Sequence, residues 1–184
     1  MSDSSDGLRV PDIAAIRAAS VRIAPYVHRT PVMQSRSLDA LAGASLYFKC
    51  ENLQKVGAFK ARGASNAVFS LSDADAARGV VTHSSGNHGA AIAYAARERG
   101  IAAHVVMPEN APKIKIDNVR GFGATIHFCA PTVAAREAAC ADVQREHGAT
   151  LIHPFDNADV IAGQGTAALE LLADVPGLDA VIAP

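Results

Sequence analysis

Cysteine is scarce in this chain, and the little there is builds nothing. Cys50, Cys129 and Cys140 are odd in number and widely spaced, without the pairing of a disulfide framework or the C-x-x-C spacing of a zinc site. Blocks of like charge are also missing. Seventeen Lys+Arg stand against eighteen Asp+Glu, a formal net charge of -1, and no basic stripe offers a track for nucleic acid. No apolar run approaches the ~18 residues a membrane helix needs. The polar, acidic start MSDSSDGLRV lacks the basic head and apolar centre of a signal peptide. These absences predict a soluble, cytoplasmic protein with neither a nucleic-acid nor a membrane partner. What the chain does have is length and apolar content: 184 residues, 49% hydrophobic, are enough to fill a core.

Residues 1–7 are Ser/Asp-rich with nothing to bury, and disorder is expected there. Pro11-Asp12 opens a helical stretch with apolar residues at Ile13, Ile16, Val21 and Ile23. Thr30-Pro31 ends that region in extended backbone, because a residue before proline is pushed out of the α region. Residues 45–50 (SLYFKC) predict a strand, and residues 59–71 a helix. From Gly79 the pattern becomes regular. Strand-like runs GVVTH, IAAHVVM, ATIHFC, TLIHP and DAVIAP alternate with helical runs, and Gly100, Gly123 and Gly148 sit where helices should end.

Such alternation with short links predicts an α/β fold of mostly parallel sheets with flanking helices, in two lobes. Residues 1–78 would form the N-terminal part of a large lobe, 79–156 a small α/β lobe, and 157–184 a return into the large lobe. The chain stops at the carboxyl end of an apolar strand, where ligands sit in open α/β sheets. The larger lobe is therefore expected to be truncated and incomplete.

Two segments could carry chemistry. His83-Ser84-Ser85-Gly86-Asn87-His88-Gly89 links a strand to an alanine-rich helix. Small polar residues entering a helix expose backbone N–H groups at the positive end of its dipole, which suits a carboxylate or phosphate. Ser and Asn also cap helices for structural reasons alone, and local pattern does not choose between the two. In the second segment, Lys60 follows Phe59 and begins a predicted helix, where the dipole disfavours its charge and makes it a better amine nucleophile. A lone lysine is otherwise a solvated surface group. The seven histidines show no H-E-x-x-H, no G-x-S-x-G elbow is present, and no metal site is expected. Arg136 and Glu137 read most simply as a solvated helix face, and Gly163-Gln164-Gly165-Thr166 as a tight helix entry, with a site-lining turn as the second reading.

Taken together, KCENLQKVGAFKARGA, THSSGNHGAAIAYAA, VVMPENAPKIKI and HPFDNADVIAGQGT resemble the serine racemase and serine/threonine dehydratase group of pyridoxal-phosphate enzymes, with the tryptophan-synthase-β-like fold. The similarity runs from about Ile13 to the end. It implies that Lys60 holds pyridoxal 5'-phosphate as a Schiff base, that Phe59 packs by the cofactor ring, and that Asn87 bonds the ring hydroxyl. By the same resemblance Ser84, Ser85, Asn87 and His88 receive the substrate carboxylate, and Arg136 and the Phe155 region approach the substrate. Ser85 matches the hydroxyl that, in the racemases, faces Cα opposite the lysine. The family's glycine-rich phosphate loop, ring-nitrogen partner and divalent-cation ligands fall beyond Pro184, so a cation belongs only to a full-length enzyme.

The activity so implied is a threonine/serine ammonia-lyase giving a 2-oxo acid and ammonia, with serine racemisation as the alternative at the same site. Ser85 is racemase-like, whereas His153-Pro154-Phe155-Asp156 is dehydratase-like. A β-replacement synthase of the same fold and a non-catalytic truncated fragment remain alternatives. The small amino-acid substrate would bind a homodimer when the enzyme is complete, and the chain alone would be poorly active.

Overall fold

Asp12 starts the first helix by chemistry its neighbours lack: its Oδ1 accepts from the Ala15 N–H at 2.8 Å, filling one of the four donors a helix start leaves open. Helix α1 then runs Ile13–Ile23 and buries Ala19 and Ile23. The computed structural model describes residues 10–183. Residues 1–7, read above as disordered, and Pro184 lie outside them.

A short antiparallel pair follows, β1 (Val32–Met33) with β2 (Phe48–Lys49), separated by helix α2 (Arg36–Ala42). The expected strand over 45–50 thus shrinks to two residues, and α2 and α4 (Asp73–Ala77) form where no periodicity announced them. Both are too short to display a helical period. Helix α4 is fixed instead by its cap, Ser72 Oγ accepting from the Asp75 N–H at 3.1 Å.

The regular half folds as its pattern predicts. Strands β3 (Val80–His83), β4 (Ala103–Pro108), β5 (Thr125–Cys129) and β6 (Thr150–Leu151) form one parallel sheet in the order β5-β4-β3-β6. Helices α5 (Asn87–Arg99), α6 (Lys113–Gly121) and α7 (Val133–His147) connect them. Side-chain alternation splits the sheet's two faces. Val80, Val105 and Met107 join clusters with the alanines of α5 and with Val119 of α6, while Val81 and Val106 pack with Cys140 and Val143 of α7. These four valines are fully buried, as central strands covered on both faces require. Gly100 and Gly148 end α5 and α7 with φ of 72° and 66°, the left-handed conformation that glycine adopts without penalty. The architecture is α/β, a parallel sheet flanked by helices.

Helices α3 (Lys60–Ser70) and α8 (Ala158–Asp174) cross beside this sheet. They touch backbone to backbone: a Cβ on Gly163 would lie 2.6 Å from both the Arg62 carbonyl oxygen and the Gly63 Cα. The segment Gly163–Thr166, read above as a helix entry, is instead the middle of α8, where small residues permit the close crossing. Gly163→Ala should therefore cost about 1–3 kcal/mol, because rigid backbone must move to admit one methyl. Urea denaturation of the variant measures this, and an unchanged midpoint would contradict the crossing. One expected element is absent: residues 178–183 form no strand, and Ile182 is 96% exposed. Among the described residues, none of the strands of either sheet pairs with this segment, so its backbone has no hydrogen-bonding ladder to join.

Candidate active site

Lys60 is the first residue of α3, and its Nζ donates to the Pro154 carbonyl at 3.0 Å. That bond joins the start of α3 to the loop after β6, 94 residues away. Burial pushes the amine below the ordinary lysine pKa, so the direction expected from the sequence holds while its physical cause is desolvation. The Phe59 ring lies beside it, with Nζ 5.3 Å from the centroid. The approach to Lys60 is strained, since Val56 adopts φ 56°, a left-handed conformation costly for a β-branched residue. Buried Gln54 holds that approach in place: its amide donates to the His28 carbonyl at 2.7 Å and accepts from the His28 N–H at 2.8 Å.

Phe59 and Lys60 open onto a cavity of about 700 Å³ whose walls include Glu51, Phe155, Ile161, Gln164 and Leu171. Gln164 Oε1 accepts from the Gly63 N–H at 3.1 Å. Its Nε2 is buried without a partner among the described residues. The lining role of Gln164 accords with the segment's second reading from sequence, a site-lining turn, though it lies on a helix; the role of Arg62 was not visible in the sequence.

Arg62, two residues beyond Lys60, is fully buried. Its guanidinium grips Glu51 through Nε and Nη2, both at 2.8 Å, and Glu170 through Nη1 and Nη2 at 2.8 and 2.9 Å. Lys49 Nζ meets Glu170 at 2.7 Å. Burial pushes the Glu170 carboxyl upward, but the hydrogen bonds from Arg62 and Lys49 outweigh it and hold its pKa below the usual range.

The Ser84–His88 loop lies at the carboxyl end of β3. Ser84 Oγ accepts from the Gly86 N–H at 3.1 Å, and Asn87 Oδ1 accepts from Lys115 Nζ at 2.8 Å. Ser85 and Asn87 are exposed. The N-cap of α5 is Gly86, and no side chain caps the helix, so the Ser and Asn residues do not serve as its cap. The first-turn amides keep their capacity for an anion.

His88 is the loop's inward residue, 3% exposed, with neither ring nitrogen bonded among the described residues. Burial, and after it the nearby Lys60 ammonium, push its pKa down to about 3. The Ile152 carbonyl leans toward the ring and opposes part of this shift, but it already accepts from the Thr82 hydroxyl at 2.8 Å. The loop therefore reaches Lys60 through His88, while Ser84, Ser85 and Asn87 are not walls of the Lys60 cavity.

His83 sits edge-on to His153 with ring centroids 5.3 Å apart, and His153 in turn contacts Phe155. Arg136 lies on α7, half-buried, with Nε bonded to the Thr132 carbonyl at 3.4 Å. It is outside the cavity, although its charge reaches His83.

The sequence profile of the family described as "Pyridoxal-phosphate dependent enzyme" matches residues 23–184. The chain belongs to that family. It is 56% identical over 173 residues to a serine racemase of Oryza sativa subsp. indica, covering 94% of this chain and 51% of that protein. It is 53% identical to a β-hydroxyaspartate dehydratase of Paracoccus denitrificans, covering 95% of this chain and 56% of that one. The solved maize serine racemase superposes with a TM-score of 0.92 at 55% identity, over 93% of this chain and 52% of the other. The chain thus spans about half the length of the relatives it matches.

The residues present fit the cofactor that the family uses. Lys60 offers an amine with a lowered pKa, and Phe59, Phe155 and Ile161 give apolar walls for an aromatic ring. Gln164 Nε2 is an unspent donor beside them. Among the described residues, no group of three or more His, Cys, Asp or Glu is arranged to hold a metal ion, and no helix is long and apolar enough to cross a membrane.

Proposed function

We propose that this chain supplies the lysine-bearing part of a pyridoxal-phosphate enzyme that racemises serine, with β-elimination from 3-hydroxy amino acids as the accompanying reaction. The observation that carries this is the Lys60 amine, desolvated and held by one carbonyl at the mouth of the cavity. The names of the rice and maize relatives favour racemisation over the threonine/serine elimination that sequence alone puts first.

Bound pyridoxal phosphate supplies an electron sink for the pair left on Cα when its proton departs. Lys60 Nζ, free of a carboxylate partner, accepts that proton. The uncapped amides of α5 receive the substrate carboxylate. Ser85, exposed beside those amides and outside the walls of the Lys60 cavity, is the hydroxyl that the family resemblance assigns to return a proton to the opposite face. The apolar walls around Phe59 and Phe155 limit the water that would compete for it.

A second reading, elimination from a hydroxy amino acid with a second carboxylate, is favoured by Arg136. Its charge reaches the end of β3, where such a carboxylate would project, and the Paracoccus relative is named for a substrate of this kind.

Chiral analysis of serine, run beside an ammonia assay in the presence of pyridoxal phosphate, tests the assignment. Ser85→Ala should reduce racemisation about 10²-fold or more and leave elimination within a few-fold, since only racemisation needs a donor on the second face. Equal loss of both activities removes Ser85 from this role. A wild-type protein that exchanges no Cα hydrogen of serine overturns the reading itself.

A further inference from the structure

Three of the seven histidines gather far from the Lys60 cavity. In the β4–β5 register His104 pairs with Thr125, and Val106 with His127. Alternation therefore puts both histidines on the face that α7 covers. Their facing nitrogens, His104 Nδ1 and His127 Nε2, are 3.0 Å apart. His147, the last residue of α7, stacks on His104 with centroids 4.3 Å apart and planes inclined by 16°. Gly148 then turns the chain into β6, and β6 leads to Pro154, the carbonyl that holds Lys60.

A spacing of 3.0 Å is a single N–H···N bond, with one ring donating and the other accepting. Once both facing nitrogens carry protons the bond is lost, and two like charges meet under a third ring. Among the described residues no group of three or more His, Cys, Asp or Glu is arranged to hold a metal ion, so the trio is not a ligand set.

We propose that His104, His127 and His147 form an acid-sensitive latch that holds the C-terminal end of α7 against the β4–β5 edge of the sheet. Among the charged groups around it, Arg78, paired with Asp75, donates through Nε to the Gly148 carbonyl at 3.2 Å and adds a cation beside His147. Glu146, whose Oε1 lies 3.7 Å from His147 Nε2, is the carboxylate that favours ring protonation. Arg145 and Asp142 pair with each other in solvent. From β4 and β5, the facing groups are the two histidines themselves. Burial first, and then the neighbouring rings, push His104 and His127 below the ordinary histidine pKa.

The sign of the effect follows. Above the unfolded value of about 6.5 both states are neutral, and the latch is fully closed. Below it the unfolded or opened state takes protons that the closed state refuses, so closure weakens by up to a factor of ten per pH unit per proton refused. Weak acid thus loosens the strap that ends at Pro154.

His88 shares this direction, so global unfolding does not isolate the latch, and the test is local. Ring titrations by NMR and amide hydrogen exchange on the wild-type chain are compared with His127→Gln, which keeps a neutral amide in place of the ring. After correction for intrinsic rates, amides of residues 143–147 should exchange at least tenfold faster at pH 5.5 than at pH 7.5. In His127→Gln the rise should fall below about threefold. An equal rise in the variant, or His104 and His127 titrating at the ordinary value with α7 protection unchanged, overturns the proposal. If His127→Gln does not fold, the wild-type ring titrations decide alone.

Discussion

Lys60→Ala should abolish the visible absorption that pyridoxal phosphate acquires on linkage to an enzyme amine, and reduce turnover by about 10³-fold or more. Four other lysines, Lys49, Lys55, Lys113 and Lys115, share the chain and could react with an aldehyde in principle. Their settings differ. Lys49 is committed to Glu170, Lys113 to Asp117 and Lys115 to Asn87. Lys60 is the lysine whose pKa burial lowers, and its single partner is a neutral carbonyl that imposes no charge pairing. At neutral pH it therefore offers the largest fraction of free amine at the smallest cost in broken contacts. Borohydride reduction followed by peptide mapping should find the pyridoxyl group on residue 60 in clear excess. An even spread over the lysines, or a visible band persisting in Lys60→Ala, would falsify the assignment.

The largest loss of stability is expected from Arg62→Ala. Removing this guanidinium strands the Glu51 and Glu170 carboxylates in a space they occupy only because a cation lies between them. Breaking a buried pair in this way costs about 3–5 kcal/mol, most of it the penalty of the groups left behind. Lys49 still meets Glu170, which keeps the loss toward the lower figure. Arg62→Lys should recover only part, because one ammonium does not reproduce a fork that engages both carboxylates. The deficit also has a pH signature. Glu170 has a lowered pKa in the fold, so the stability it contributes is fully present above the unfolded carboxylate range and lost as pH falls on through the lowered folded value. The variant should therefore lie furthest below wild type at pH 7, and the gap should have begun to narrow at pH 4. Urea unfolding at both pH values measures this, and a difference under about 1 kcal/mol at pH 7 would show that the network contributes little.

The regular half of the molecule was legible because its signals are local. Apolar strands of four to six residues, alanine-rich helices and helix-ending glycines each declare themselves within a dozen positions, and β3, β4, α5 and α7 formed close to where they were expected. Lys60 and the Ser84–His88 loop stood out as segments through neighbouring aromatic and small residues, but local pattern left their roles open and only the family resemblance assigned them.

What stayed hidden depends on partners distant in the chain. Nothing near Arg62 shows that its second carboxylate comes from Glu170, and nothing near Gln164 shows that it lies against Gly63. Gly163 looked like a helix entry because its reason for being small is α3, a hundred residues earlier. Residues 179–183 failed for the same reason in reverse: their composition suits a strand, but among the described residues no strand lies beside them.

The distance between Arg62 and Glu170 also orders events during synthesis. They are 108 residues apart, and a ribosome adding about 5–20 residues per second needs roughly 5–20 s to bridge that gap. Throughout that interval α3 has emerged with Glu51 as its one acidic partner, while the helix that shields it has yet to be made. Lys60 waits as well, since Pro154 also arrives late. The reactive amine is thus held open, and solvated, until residue 154 has been added. An aldehyde cofactor meeting the nascent polypeptide would encounter an ordinary lysine, and selective capture begins only once α8 has closed over α3.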